Sequence, residues 1–266
     1  MQSTLEVDVD LVSVFVTVHD TDGAYVPGLD SRDFQVFEDG ELQPIEVFER
    51  GDGVPSSLGI LIDDSGSSAD ILAAVRSGVQ DFAAGLDPDD EIFVMSFGTE
   101  VRVIHDLGDD LSGLRSALSA LRAWGTSVFY DALDSGIRKL AGTNARQALI
   151  VLTDGDDNGS ERTWIEIVRA AESRMVILYF VGMGPPILVD TYTLRGLASM
   201  TGGRVYLMSG DDSPRNVLDA VRREMSYQYY LAYYSSPGPG YHSIRVAIPG
   251  TEFTARAREG YLVLAE

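Results

Sequence analysis

Leu58-Gly59-Ile60-Leu61-Ile62-Asp63-Asp64-Ser65-Gly66-Ser67 decides how this chain is read. Leu58–Ile62 is a short apolar strand. At Asp63 the composition turns to oxygen donors and a glycine. Beyond it, over residues 69–86, Leu72, Val75, Val79, Phe82 and Leu86 recur at steps of three and four, the stripe of an amphipathic helix. A strand, an oxygen-rich turn and a helix make the unit from which open α/β sheets are wound. The turn at the strand's carboxyl end is where such sheets place their ligands.

Working outward, the same alternation fills residues 56–226. Ile92–Phe97 and Val101–Ile104 read as strands. Leu111, Leu114, Leu118 and Leu121 mark a second helix, and Leu133, Ile137 and Leu140 a third. Ala148–Leu152 and Val176–Val181 are continuous apolar runs, suited to strands covered on both faces. Thr163-Trp164-Ile165-Glu166 has the capping-box spacing of a helix start. Thr193–Met200 predicts a short helix before a strand at Arg204–Met208. Ser213-Pro214 opens the last helix, with proline where no N–H is needed. The fold class is α/β: a doubly wound, mainly parallel sheet with helices on both faces.

The two ends of the chain have a different rhythm. Val12, Val14, Val16 and Val18 alternate with Ser13, Phe15, Thr17 and His19, the period of a strand with two distinct faces. Asp22-Gly23 and Asp39-Gly40 are turn dipeptides able to supply positive φ. Phe34, Val36 and Phe37 before the second turn and Ile45, Val47 and Phe48 after it predict a hairpin. At the other end Tyr229–Tyr234, Ile244–Ile248 and Phe253–Ala257 are separated by Pro-Gly turns, and seven of the 12 tyrosines lie in this tail, in keeping with strands. About forty β residues at either end are marginal alone. The expectation is therefore one small antiparallel β domain built from residues 1–55 and 227–266, a β-sandwich, with the α/β domain of residues 56–226 inserted in it.

The chain has 266 residues, 45% hydrophobic and 23% charged, which is ordinary globular usage. It has no cysteine, which removes disulfide scaffolds, thiolate metal sites and cysteine nucleophiles together. Twenty Lys and Arg against 41 Asp and Glu give a net charge of −21. A field of that sign repels phosphate backbones and anionic lipid, and it accommodates divalent cations and basic partners. No apolar run is long enough for a transmembrane helix. The start, Met1-Gln2-Ser3-Thr4-Leu5-Glu6, lacks the basic and apolar regions of a signal peptide. The protein is read as cytoplasmic, or as exported with its leader absent from this chain.

Asp63, Ser65 and Ser67 place one carboxylate and two hydroxyls at alternate positions of the first loop. Two further strand-end loops offer matching groups: Gly125-Thr126-Ser127 and Thr153-Asp154-Gly155. All three converge at one sheet edge in an α/β alternation. Two carboxylates and three hydroxyls suit a hard cation, Mg²⁺ first, with Mn²⁺ or Ca²⁺ as alternatives. With only two anionic ligands such a cation keeps positive character and accepts a partner's carboxylate.

This pattern resembles a von Willebrand factor A domain carrying a metal-ion-dependent adhesion site, over residues 56–226. The resemblance implies metal ligands at Asp63, Ser65, Ser67, Thr126 and Asp154, the serines direct and the others direct or through water. It also implies a protein partner that supplies a carboxylate. The flanks, Val14-Phe15-Val16-Thr17-Val18, Gly28-Leu29-Asp30-Ser31-Arg32-Asp33-Phe34 and Phe37-Glu38-Asp39-Gly40, with Tyr230–Tyr234, His242–Val246 and Arg256–Tyr261, are similar to bacterial proteins related to that family, of the acidobacterial type. Those are usually exported, and the resemblance implies export here.

Competing readings remain. Asp64 is expected to point away from the cation, since alternate positions already serve it. Asp156, Asp157 and Asn158 read as a solvated acidic loop rather than a second, Ca²⁺-type site. His19, His105 and His242 are too dispersed for zinc. Trp124 either lines the binding face or packs. The functional reading is a non-enzymatic protein-binding module. The alternatives are a structural protein whose metal only ties loops together, and a Mg²⁺-dependent phosphoryl hydrolase with Asp63 as nucleophile. The last lacks the second carboxylate such sites place two residues on, because position 65 is Ser.

Overall fold

In a computed structural model the described residues are 10–51, 55–141, 143, 145–185, 187–208 and 212–263. The chain divides into two units, residues 1–53 with 224–266, and residues 54–223.

The first unit begins with β1 (Asp10–His19), whose Val12, Val14, Val16 and Val18 are buried. β2 (Gln35–Glu38) and β3 (Glu41–Gln43) form a hairpin about Asp39 and Gly40, which have φ of 50° and 86°. Two successive positive φ angles are what a two-residue hairpin turn with the right twist requires. The predicted partner strand is corrected here. Val47 and Phe48 belong to β4 (Val47–Arg50), which lies in another sheet. Pro44 follows β3 directly and has no N–H to continue the ladder.

The second unit opens with β5 (Ser56–Asp63), buried from Ser57 to Asp63. The first helix, α1 (Leu72–Ala84), is shorter at both ends than the periodicity predicts. Gly66–Ser68 forms a separate 3₁₀ turn, and Gly85 caps the helix before Leu86. β6 (Glu91–Phe97) and β7 (Val101–His105) follow. The predicted second helix is divided into a 3₁₀ turn, Leu111–Gly113, and α2 (Leu114–Ala120). Then come α3 (Phe129–Leu140), β8 (Arg146–Thr153), α4 (Trp164–Ser173), β9 (Ile177–Gly182), α5 (Thr191–Thr201), β10 (Val205–Leu207) and α6 (Pro214–Ser226). The boundary between the units falls within α6. At the start of α4 the Glu166 carboxylate accepts the Thr163 backbone N–H at 2.9 Å, as its capping-box spacing anticipates.

The sheet order is β10-β9-β8-β5-β6-β7, parallel throughout except for the antiparallel β6–β7 pair. Leu61, Phe93, Leu149, Val151, Leu178 and Phe180 form one core with Phe129, Leu133 and Ile137 of α3, Ile167 of α4 and Leu194 of α5. The centre of β5 is packed so closely that a Cβ on Gly59 would lie 2.3 Å from both Leu149 Cδ2 and Phe93 Cζ. Strand order reverses between β5 and β8. Their carboxyl ends, Asp63 and Thr153, therefore flank the topological switch point at which such sheets open a crevice.

The tail completes the first unit with β11 (Tyr229–Ser235), β12 (Gly240–Ala247), β13 (Thr254–Arg256) and β14 (Gly260–Val263). The last of these was not anticipated as a strand. β11 pairs antiparallel with β1 and β4, giving the sheet β13-β1-β11-β4. β12 pairs with β2 and β14, giving β14-β12-β2-β3. The two sheets, drawn from both chain ends, share a core of the β1 valines, Val36, Leu231, Tyr233, Ile244 and Tyr261. No helix among the described residues is long and apolar enough to cross a membrane.

Candidate metal centre

Asp63 is the last residue of β5 and its side chain is 0% exposed. Both carboxylate oxygens accept hydrogen bonds: Oδ1 from the Ser65 backbone N–H at 2.9 Å, Oδ2 from the Thr153 hydroxyl at 2.8 Å. The first is an Asx-type contact that folds the chain back immediately after the strand. It brings Ser65 Oγ within 3.1 Å of Ser67 Oγ. Ser65 is buried, while Ser67 faces outward.

The second loop is locked onto the first by backbone hydrogen bonds. Gly66 N–H donates to the Gly125 carbonyl at 3.3 Å, and Trp124 N–H to the Asp64 carbonyl at 2.9 Å. Gly125 has φ +79°, a conformation that favours glycine. Thr126 follows it and is exposed. Ser127 is then fixed from the third loop: its N–H donates to Asn158 Oδ1 at 2.9 Å, and its carbonyl accepts the Asn158 N–H at 3.1 Å.

Asp154 follows Thr153 at the end of β8 and is 8% exposed. Its Oδ1 accepts the Asp156 N–H at 3.1 Å, and its carbonyl accepts the Asp190 N–H at 2.8 Å. Asp157 accepts a hydrogen bond from the Ser160 hydroxyl. Of the acidic loop's three polar residues, Asn158 therefore ties the loop to Ser127, and Asp157 is engaged within its own loop.

The structure thus brings together the loops bearing Asp63, Ser65 and Ser67, Thr126, and Asp154. Asp64 faces elsewhere. It is fully buried and ion-paired with Arg102 of β7, and its N–H donates to the Phe97 carbonyl at 2.8 Å. Two roles at the site were not read from sequence: the Thr153 hydroxyl orients Asp63, and the Asn158 side chain, read there as part of a solvated loop, locks the second loop to the third. Arg102, the partner of Asp64, was not singled out either. Thr153 stood in the quoted loop, but a hydroxyl at a strand end gives no sign of which carboxylate it will meet.

Burial is the main influence on Asp63 and pushes its carboxyl up to about 6, reinforced by the charge of Asp154 and opposed by the hydrogen bonds from Ser65 and Thr153. Burial also raises Asp64, although the Arg102 guanidinium works against it. A buried carboxylate without a counter-charge is costly. A hard cation beside Asp63 removes that cost, and carboxylate plus hydroxyl oxygens are the donors such a cation takes. Among the described residues no group of three or more His, Asp or Glu side chains is arranged to hold a metal. Any cation here must therefore draw on serine and threonine hydroxyls. The residues present fit that requirement.

The von Willebrand factor type A domain model matches residues 58–220. No curated protein matches the chain. Among solved structures the chain is similar to the conserved hypothetical protein BatB from Bacteroides thetaiotaomicron, with TM-score 0.55 and 17% identity over 64% of this chain and 97% of that one. It is similar to a von Willebrand factor type A protein from Catenulispora acidiphila, with TM-score 0.53 and 15% identity over 85% of this chain and 74% of that one. A third likeness is to the PilB minor pilin of Streptococcus sanguinis, with TM-score 0.51 and 12% identity over 70% of this chain and 64% of that one. These likenesses concern the fold. Domains of this type generally serve protein interaction and adhesion rather than catalysis. With the model matching more than half its length and the six-stranded sheet in place, the chain belongs to the von Willebrand factor type A domain family.

Proposed function

We propose that this chain is a protein-interaction module that holds a divalent cation through Asp63, Ser65 and Ser67, with Thr126 and Asp154, and uses it to capture a carboxylate of a partner protein. The observation that carries the reading is the state of Asp63: fully buried, accepting hydrogen bonds on both oxygens, and pushed up by burial at the meeting point of three loops. A bound Mg²⁺ supplies a net-positive centre to which an anionic oxygen can be added. The protein's own contribution is preorganisation. Thr153 and the Ser65 N–H fix the Asp63 carboxylate, the 3.1 Å Ser65–Ser67 contact sets two hydroxyls side by side, and the Gly66–Gly125 hydrogen bond holds the Thr126 loop against them. We also place the protein outside the cytoplasm, on the resemblance of its flanking strands to exported bacterial proteins.

The test is a thermal-melt titration with Mg²⁺, Mn²⁺ and Ca²⁺ against EDTA, on wild type and Asp63→Ala. A ligand that binds only the native state adds about 2.7 kcal/mol at 100 times its Kd. The expected result is a cation-dependent rise in Tm that Asp63→Ala abolishes. A wild-type Tm indifferent to all three cations overturns the reading.

A further inference from the structure

The three most exposed large apolar side chains among the described residues are Ile187 at 91%, Tyr192 at 90% and Leu188 at 67%. They fall within six residues of one another, between the end of β9 and the first turn of α5. Scattered apolar residues on a surface are ordinary. A cluster is different, and this one is held in place beside the candidate centre: the Asp190 N–H bonds the Asp154 carbonyl at 2.8 Å, and the Asp190 side chain accepts the Thr193 N–H at the start of α5. On the other side of the centre Trp124 is 55% exposed, and its N–H is bonded to the Asp64 carbonyl at 2.9 Å. Sheet order sets these groups apart. The 187–192 segment follows β9, beyond β8, while the Trp124 loop is bonded to the ends of β5 and β6, through Asp64 and through the Val128 N–H to the Gly98 carbonyl. Asp63 and Asp154 lie between.

The same edge is acidic. Asp154, Asp156, Asp157 and Asp190 are all in the third loop or the segment tied to it, and the whole chain carries −21. That field opposes a partner with several carboxylates.

We infer, resting on the proposed function, that the partner presents its carboxylate on a segment with apolar side chains on either side of a single Asp or Glu and no second acidic residue. Ile187, Leu188 and Tyr192 receive one apolar flank and Trp124 the other. These four side chains decide which partner is bound, and the cation ligands decide whether one is bound.

The experiment uses the full chain with Mg²⁺ and short fluorescein-labelled peptides that hold one central Glu. The flanks are Leu and Phe, or Ser and Gly, or Asp, and binding is read by anisotropy alongside the Mg²⁺-dependent Tm rise. Burial of one or two apolar side chains makes the apolar-flanked peptide bind roughly tenfold tighter than the Ser/Gly peptide, and the Asp-flanked peptide binds weakest. In Ile187→Ser/Leu188→Ser/Tyr192→Ser that preference falls to about threefold, the share Trp124 still supplies, and adding Trp124→Ser brings it to near unity, while the Mg²⁺-dependent Tm rise is unchanged in both. Substituting such exposed side chains leaves the core untouched. A Tm rise with Mg²⁺ and no preference among the peptides, or no peptide bound, overturns this inference and leaves the cation site standing. A preference of about tenfold undiminished by the triple substitution, or one that survives when Trp124→Ser is added, overturns the assignment to these residues. No Tm rise and no Mg²⁺-dependent peptide binding overturns the proposed function and this inference with it.

Discussion

The Thr153 hydroxyl donates to Asp63 Oδ2 at 2.8 Å, joining residues 90 positions apart in sequence. The two side chains sit at the ends of adjacent parallel strands, β5 and β8, on either side of the point where strand order reverses. Thr153 Oγ1 also accepts the Gly155 N–H at 3.0 Å, so one hydroxyl both orients the buried carboxylate and shapes the loop that carries Asp154.

Thr153→Val keeps the shape and removes the hydroxyl. A hydrogen bond to a charged group contributes about 1.5–3 kcal/mol. The variant should lose stability of that order in urea titrations near neutral pH, where wild-type Asp63 is largely ionised. It should also need a higher Mg²⁺ concentration for the same Tm rise, since the Asp63 carboxylate is no longer held. A variant with unchanged Mg²⁺ response would show that Asp63 needs no orientation.

Arg102→Met tests the neighbouring pair. It leaves the Asp64 carboxylate buried with its guanidinium removed. Breaking a fully buried pair costs about 3–5 kcal/mol. Arg102 is itself partly solvated, so about 2 kcal/mol is expected. Asp64→Asn in the same chain should restore most of it, and a double-mutant cycle in denaturant measures the coupling. Because Asp64 faces away from the three loops' donors, Mg²⁺ affinity should change little in any of these variants.

Much of this architecture was legible because it rests on local pattern. The apolar run Leu58–Ile62, the stripe from Leu72 to Phe82 and the Thr163–Glu166 box each state their element without outside help. The oxygen donors at alternate positions after Asp63 marked the site for the same reason. What escaped depends on contacts between distant residues. Phe48 and Val47 have the look of a hairpin's second strand, but their partner is Leu231 and Ala232, nearly two hundred residues away. Arg102 lies on an edge strand whose neighbour is set by sheet order, so nothing local linked it to Asp64. The glycine in this turn, Gly66, does not make the bend, since a Cβ there would meet only the Gly125 carbonyl at an ordinary 3.6 Å. The bend comes from the hydrogen bond between Asp63 and Ser65 instead.

His242 and Asp39 make a pH-dependent contact in the first unit. His242 Nδ1 lies 2.7 Å from Asp39 Oδ2, and Nε2 lies 2.7 Å from the Gly238 carbonyl. The Gly238 carbonyl and Asp39 together hold the imidazole above its ordinary 6.5. The contact with His242, then the Ser243 N–H, holds Asp39 below its ordinary 3.8. The His242 contribution is fully present below 6.5 and is lost as pH rises through the raised value. The Asp39 contribution is present above 3.8 and is lost as pH falls through the lowered value. Stabilisation from the pair is therefore greatest between 3.8 and 6.5. Following the His242 ring protons by NMR should give a midpoint above 6.5 that falls in Asp39→Asn. An unshifted midpoint in the variant would assign the effect to Gly238 alone.

Glu38 offers the sharpest test of what joins the two sheets of the first unit. From β2 its buried carboxylate accepts the Tyr233 hydroxyl at 2.6 Å and the Tyr261 hydroxyl at 2.9 Å, and also the Ser235 hydroxyl. Tyr261 is in the same sheet, on β14, but Tyr233 and Ser235 are on β11 in the facing one. Burial first, and then Glu38, drive both phenols well above their usual range, so they remain protonated donors. Glu38→Leu fills similar space and removes the acceptor of three hydroxyls, two of them, on Tyr233 and Tyr261, buried and costing about 1–3 kcal/mol each when stranded. A loss of about 3–5 kcal/mol is expected, since the three share one acceptor and do not add fully. Tyr233→Phe removes one donor, leaves the carboxylate two others and should cost about 1 kcal/mol. In a Tyr233→Phe background, Glu38→Leu should cost measurably less than alone, because one stranded hydroxyl is gone. Equal penalties in the two backgrounds would mean that the cross-sheet bond between Tyr233 and Glu38 contributes nothing.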